Sequence, residues 1–314
     1  MTPKEHAYVL FAGIASILLL ASAIGFTLKI AVARGAPNAL IDNLNARIKA
    51  WWLIAFVTGL SFLAGRSGVV LLFALISFQA LREYVSAIAT RISDHWALIA
   101  AFFVVIPVQY ALVWAGESTL AALFIPVCTF ILVPILAARG GDIRNFLQSA
   151  ATIHWGLMVS VYCLSHVPML LDLDMAGTDN QKIFLPLFLI LVVQLSDVTQ
   201  YIWGKLLGKH RIAPSLSPSK TVEGFAGGMA SATLLGSALW WMTPLTPLEA
   251  GLVSFAVALM GFFGGLVMSA IKRDRGQKDW GAMIQGHGGI LDRVDSLCFS
   301  APVFFYLMRF WTAS

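Results

Sequence analysis

Asp279, Asp292 and Asp295 crowd a polar stretch near the end of the chain, between Ser269 and Ser296, together with Lys272, Arg273, Arg275, Lys278 and Arg293. Carboxylate oxygens grouped in this way suit Mg²⁺, which takes one or two protein carboxylates and leaves its other positions to water and substrate phosphates. Cations set among the acids fit a polyanionic substrate held together with its metal. Asp292 and Asp295 are three residues apart and share one face if a helix begins there. Gly286, Gly288 and Gly289 flank His287, giving a backbone that can turn sharply and bring N–H groups against a phosphate.

A second stretch, from Ser196 to Gly228, has the same character. Asp197 lies inside an apolar run, where a carboxylate costs roughly 2.5–3.5 kcal/mol at a bilayer centre and is a functional candidate by default. Ser217, Pro218, Ser219, Lys220 and Thr221 read as a turn that offers hydroxyls and one cation to phosphate oxygens. Glu223, with Gly224, Gly227 and Gly228, opens the next apolar run and allows close helix packing. Each feature has a plainer alternative. Lys205, Lys209, Arg211, Lys272 and Arg275 taken singly are topology-setting loop cations, His154 and His166 are packed residues of spans, and His210 is a solvated loop residue. Those alternatives do not account for the clustered aspartates, the glycine-flanked His and the Ser–Lys turn sharing one predicted face.

The elements that must position these residues are membrane helices. Hydrophobic residues make up 59% of the 314 and charged residues only 12%, about half the share of a soluble domain. With a mean hydropathy of +0.81, this composition excludes a disordered chain and a nucleic-acid scaffold. A bilayer core of about 30 Å needs roughly 20 apolar residues per helix, all backbone groups paired internally. That filter predicts an all-α, polytopic protein with spans near 7 to 31, 49 to 64, 67 to 85, 97 to 115, 118 to 138, 151 to 171, 183 to 203, 225 to 243, 248 to 271 and 293 to 311. The second and third are joined only by Gly65 to Ser67, so nine or ten spans both fit.

Ten spans give the better charge alternation. Alternate loops then hold 17 of the 21 Lys and Arg, leaving Lys4, Arg66, Lys182 and Arg309 on the other side with Asp172, Asp174 and Asp179. The positive-inside rule puts both termini outside and both polar stretches in the cytoplasm. Residues 1 to 195 read as scaffold and 196 to 314 as the catalytic region of one continuous membrane domain. Segment 34 to 50, with Arg34, Asp42, Arg47 and Lys49 among Leu40, Ile41, Leu44 and Ile48, reads as an amphipathic surface helix. Cys128, Cys163 and Cys298 read as buried, unpaired thiols, and the absence of a visible internal repeat weighs against a transporter.

The stretch from Ser269 to Asp295 resembles the signature of the phosphatidate cytidylyltransferases, the CDP-diacylglycerol synthases. The resemblance is carried by Ser269, Ile271, Lys272, Arg273, Lys278, Asp279, Gly281, Ile284, His287, Gly288, Gly289, Asp292, Arg293 and Asp295. Asp197, Tyr201, Gly204, Gly208, Lys209, Ser217, Pro218, Lys220, Thr221, Glu223 and Gly224 extend it. The chain departs from the pattern at Gln285, where Pro or Gly is usual, and at Val198, Thr199 and Gln200, where a small-residue run is common. A divergent paralogue is compatible with those departures.

The resemblance implies a transferase of phospholipid biosynthesis that converts CTP and phosphatidate to CDP-diacylglycerol and pyrophosphate by in-line attack of the lipid phosphate on the α-phosphorus. It implies Mg²⁺ held by Asp279, Asp292 and Asp295, with Asp197 completing the metal or substrate site, and leaves room for a second, monovalent cation. Catalytic roles fall to Asp279, Asp292, Lys220, Lys278 and His287, the last either positioning phosphate or donating to pyrophosphate. Substrate binding falls to Ser217, Lys220, Arg293, Lys272, Arg273, Gly288 and Gly289. A bacterial inner-membrane location, lipid contact and a cavity with a lateral gap between spans follow, with a homodimer compatible and no nucleic-acid partner. A CTP-dependent lipid kinase and a non-catalytic transporter or scaffold are the alternatives.

Overall fold

The computed structural model describes residues 3–31, 38–88, 90–142, 144–173, 182–281, 283 and 288–313. Among them are ten long helical segments: α1 (Pro3–Ala31), α2 (Ala39–Leu63), α3 (Gly65–Ala87), α4 (Ile92–Ala115), α5 (Ser118–Arg139), α6 (Phe146–Asp172), α7 (Phe184–Leu207), α8 (Val222–Ala238), α9 (Pro247–Asp274) and α10 (Leu291–Ala313). Each predicted apolar segment coincides with one of them. Seven stretches are long and apolar enough to cross a membrane: Leu44–Leu63 of α2, and α3, α4, α5, α6, α7 and α9. The described apolar part of α1, Ala15–Ala31, is shorter, α8 has 17 residues, and α10 carries Asp292, Arg293 and Asp295 in its first turns.

Large apolar side chains face outward all around the bundle, with Leu63 at 84%, Phe103 at 71% and Phe310 at 72% exposure. A perimeter of this kind needs an apolar solvent, so the protein is a multi-pass membrane protein. Inside, Phe73 of α3, Phe188 of α7 and Phe304 and Phe305 of α10 are fully buried. α7, α8, α9 and α10 pack on one another, and α3 packs against α4, α6 and α10, so α10 is shared by both halves.

Three expectations change. Residues 211–221 are not all loop: β1 (Arg211–Ala213) pairs antiparallel with β2 (Ser217–Thr221), adding a small hairpin to an otherwise helical chain. A run of alternating hydroxyls with one proline reads as a turn from composition, yet it suffices for a short ladder. The amphipathic stretch is no separate surface helix either; from Ala39 it runs unbroken into the second predicted span as α2, while residues 34 to 37 lie outside the described residues. The three cysteines are unpaired, but Cys128 is exposed on the outward side of α5 and only Cys298 is fully buried.

Ion pairs join loops separated by an even number of helices. Arg66, at the start of α3, meets Asp172 at the end of α6 at 2.7 Å and donates to the Val113 and Trp114 carbonyls that end α4. Arg91 lies 3.9 Å from Asp142 at the other end of the bundle.

Candidate functional site

The hairpin and the start of α8 form one wall. The Thr221 hydroxyl accepts the Gly224 N–H, capping α8. Glu223 folds back over the hairpin base, accepting from the N–H groups of Lys209 at 3.0 Å and His210 at 3.2 Å and meeting His210 Nδ1 at 2.6 Å. Those hydrogen bonds, the Lys209 N–H first, hold the Glu223 carboxyl at about 2, well below the ordinary carboxylate range. Arg273 at the end of α9 donates to the Leu216 carbonyl in the hairpin turn, so the two polar stretches touch at one end of the bundle.

Behind that wall lies a polar cavity of about 220 Å³ between α7, β2, α8, α9 and α10. Asp197, Gln200, Ser219, Lys220, Ser269, Asp295 and Ser296 line its polar side. Lys220 reaches in from β2 until its Nζ lies 4.5 Å above the Phe262 ring and 3.4 Å from the Phe262 carbonyl oxygen. Burial pushes the Lys220 ammonium below the usual lysine value, and the carboxylates of Asp197 and Asp295 push it back. Gln200 and Ser296 could be found only from the fold. Gln200 is one of the departures from the family pattern, and its Nε2 is buried without a hydrogen-bond partner at the cavity wall.

Asp292 belongs to a different centre. Its Oδ1 accepts from Lys272 Nζ at 2.7 Å, and its Oδ2 accepts the N–H groups of Trp280 at 2.8 Å and Gly289 at 3.0 Å. Both side chains of the ion pair are nearly buried, at 10% exposure for Lys272 and 5% for Asp292. Gly288 takes a φ of +77°, and a Cβ there would come within 2.6 Å of the Asp292 carboxylate and 3.4 Å of the Asp279 Cβ. That approach explains the glycine and sets Asp279, itself exposed, beside Asp292.

The four expected aspartates thus have two settings: Asp197 and Asp295 line the cavity, whereas Asp292, in the first turn of α10, is engaged by the loop that carries Asp279, with the charges of Lys272 and Asp292 still felt at Asp295. Among the described residues no group of three or more His, Cys, Asp or Glu forms a metal site. Lys272, expected on substrate, is committed to Asp292, and Arg273 to the Leu216 and Gln277 carbonyls. Ser217 pairs with Ala213 in the hairpin, while Ser219 and Thr221 of the same strand line the cavity. Lys278 is exposed on the loop, and Arg293 begins α10 with its carbonyl bonded by Gln194 of α7. His287 lies outside the described residues.

The model of the cytidylyltransferase family matches residues 45–311. YnbB of Escherichia coli, an uncharacterized protein, is 38% identical over 280 residues, 87% of this chain and 90% of its own. The phosphatidate cytidylyltransferase of Staphylococcus saprophyticus is 30% identical over 80% of this chain and 94% of its own length. That of Mycobacterium leprae is 36% identical over 53% and 52% respectively. With the match running from α2 to the end of α10 and taking in the hairpin, the cavity and the aspartate loop, this chain belongs to the cytidylyltransferase family and is a membrane-embedded nucleotidyltransferase.

Proposed function

We propose that the chain transfers the cytidylyl group of CTP to phosphatidate, giving CDP-diacylglycerol and pyrophosphate. The observation that carries the reading is Lys220, a half-buried cation facing Asp197 and Asp295 in a polar cavity inside an apolar bundle. Phosphatidate is what the staphylococcal and mycobacterial relatives act on by name. A phosphate monoester has a second pKa of about 6, so the lipid phosphate is largely a dianion near neutral pH and needs no dedicated base. An oxygen of that phosphate bonds to the α-phosphorus as the α–β phosphoanhydride bond breaks, and pyrophosphate leaves.

Catalysis on this chain is then positioning and charge neutralisation. Lys220 neutralises phosphate oxygens in the cavity and Ser219 donates to them, while Lys278 and Arg293 meet the nucleotide from the loop side. Asp292 holds Lys272 and the loop backbone in place. Mg²⁺ fits Asp197 and Asp295 better than Asp292, because those two share the cavity whereas the oxygens of Asp292 are already engaged by an ammonium and two N–H groups. Bound there, the ion would offset the charge of the triphosphate. The bacterial inner membrane, with this end of the bundle facing the cytoplasm, supplies both CTP and lipid, and the 17 basic residues on that side support the orientation.

The test is turnover by the purified protein with CTP, Mg²⁺ and phosphatidate. CDP-lipid and pyrophosphate in equal amounts are expected. Release of CDP with a newly phosphorylated lipid would replace the reading with that of a CTP-dependent lipid kinase.

A further inference from the structure

Glu83 lies in the third helix, within the region that the sequence marks as scaffold, yet its carboxylate ends in the aspartate loop. Oε1 accepts the N–H of Ile290 at 2.9 Å and Oε2 the N–H of Leu291 at 2.8 Å, across more than two hundred residues of chain. Those are the first N–H groups of α10, which the helix itself leaves unpaired and where a negative charge is favoured by the helix dipole. Glu83 is 9% exposed. Its carboxylate fills the place where a Cβ would stand on Gly289, and lies 3.1 Å from a Cβ built on Gly281. The next residue, Tyr84, packs its ring 5.6 Å from that of Trp280.

We propose that Glu83 is a positioning residue of the active site, acting through Asp292. Gly289, against which the Glu83 carboxylate packs, and Trp280, against whose ring Tyr84 packs, are the two residues whose N–H groups bind the Asp292 carboxylate. Asp292 in turn holds Lys272. α3 thereby sets the geometry of the loop that carries Asp279 and of the α10 N-terminus that carries Asp292, and the first half of the chain is part of the catalytic assembly. A carboxylate is required because both oxygens must accept; Gln presents one acceptor and turns an NH2 group against the other N–H.

The kinetic arm of the test rests on the cytidylyltransferase reading, and the proteolytic arm does not. Glu83→Gln should lower kcat about 10- to 100-fold with KM for CTP within about threefold, because small misplacements of catalytic geometry cost rate rather than binding. Glu83→Asp, which keeps the charge but shortens the reach, should fall between the two. Trypsin should cut faster at Lys278 in Glu83→Gln than in the wild type, with the helical core intact. Gln79→Ala, one turn away on the same helix, should change neither. If Glu83→Gln does not accumulate in folded form, Gly289→Ala carries the test, since its Cβ drives the Glu83 carboxylate away without altering its charge. Wild-type kcat in either variant, or a lost kcat with Lys278 protected as in the wild type, would overturn the proposal. A wild type that does not turn over phosphatidate, with Lys278 still released in Glu83→Gln, would count against the substrate and not against Glu83.

Discussion

Asp292 and Asp295 are three residues apart on α10 and are expected to fail differently when altered. Asp295→Asn is nearly isosteric and faces the cavity, so turnover should drop at least about 100-fold, the scale of losing one electrostatic contact to a transition state, with no change in melting temperature. Asp292→Ala strands the nearly buried Lys272 ammonium, a cost of about 3–5 kcal/mol, so the melting temperature should fall together with activity. Thermal unfolding in detergent beside the kinetic assay separates them; equal stability in the two variants would mean that the Lys272–Asp292 pair does not hold the loop. Lys220→Ala should cost turnover on the same scale as Asp295→Asn, whereas Lys205→Ala should cost little, since Lys205 lies at the exposed end of α7 near the Tyr201 ring. Lys220 stood out in the sequence from its setting among hydroxyls, and the structure places it in the polar cavity. That Lys272 is spent on Asp292 was not, because a cation beside an acid twenty positions away looks the same whether it binds a substrate or a neighbour.

The β1–β2 hairpin is the element most dependent on a single side chain. Glu223 ties its base to α8, so Glu223→Ala should loosen β2 and cost about tenfold in kcat/KM through misplaced Lys220, with faster proteolysis between α7 and α8. Because its folded carboxyl is depressed from 4.5 to about 2, the clamp contributes fully above pH 4.5 and is lost only as pH falls toward 2. The relative change in activity between pH 6 and pH 5 should therefore be the same in the wild type and in Glu223→Gln; an acid limb present in the wild type and absent from that variant would contradict the clamp. Helix positions were legible because a twenty-residue apolar run has few alternatives in a bilayer. The hairpin was hidden, since Ser217 to Thr221 has neither the alternation nor the β-branched content of a strand and is held by Glu223 and Arg273 from outside it. Glu83 was hidden for a related reason: beside Arg82 at a helix end it reads as an ordinary boundary charge, and only the fold brings it to Gly289.

At the scale of the molecule, the pairing of Arg66 with Asp172 and of Arg91 with Asp142 sorts the loops into two ends, with both polar stretches at the Arg91 end. In a cysteine-free background, Lys209→Cys and Asp274→Cys should be labelled from the cytoplasmic side and Glu117→Cys only from the opposite one. Labelling of Lys209→Cys and Asp274→Cys from different sides would break the contact between Arg273 and Leu216 on which the cavity depends. The charge count already placed Arg66 and Asp172 on one side and both polar stretches on the other, as these contacts do, whereas the separate settings of Asp292 and Asp295 required the packing of α7 against α10. The central claim is that the α-phosphorus of CTP is transferred to a lipid phosphate at the cavity around Lys220. It is tested most directly by supplying CTP labelled at either the α- or the γ-phosphorus to the purified protein with phosphatidate and Mg²⁺. Label from the α position should enter the lipid and label from the γ position should leave as pyrophosphate, with both transfers lost in Lys220→Ala; γ-label found in the lipid would contradict the account.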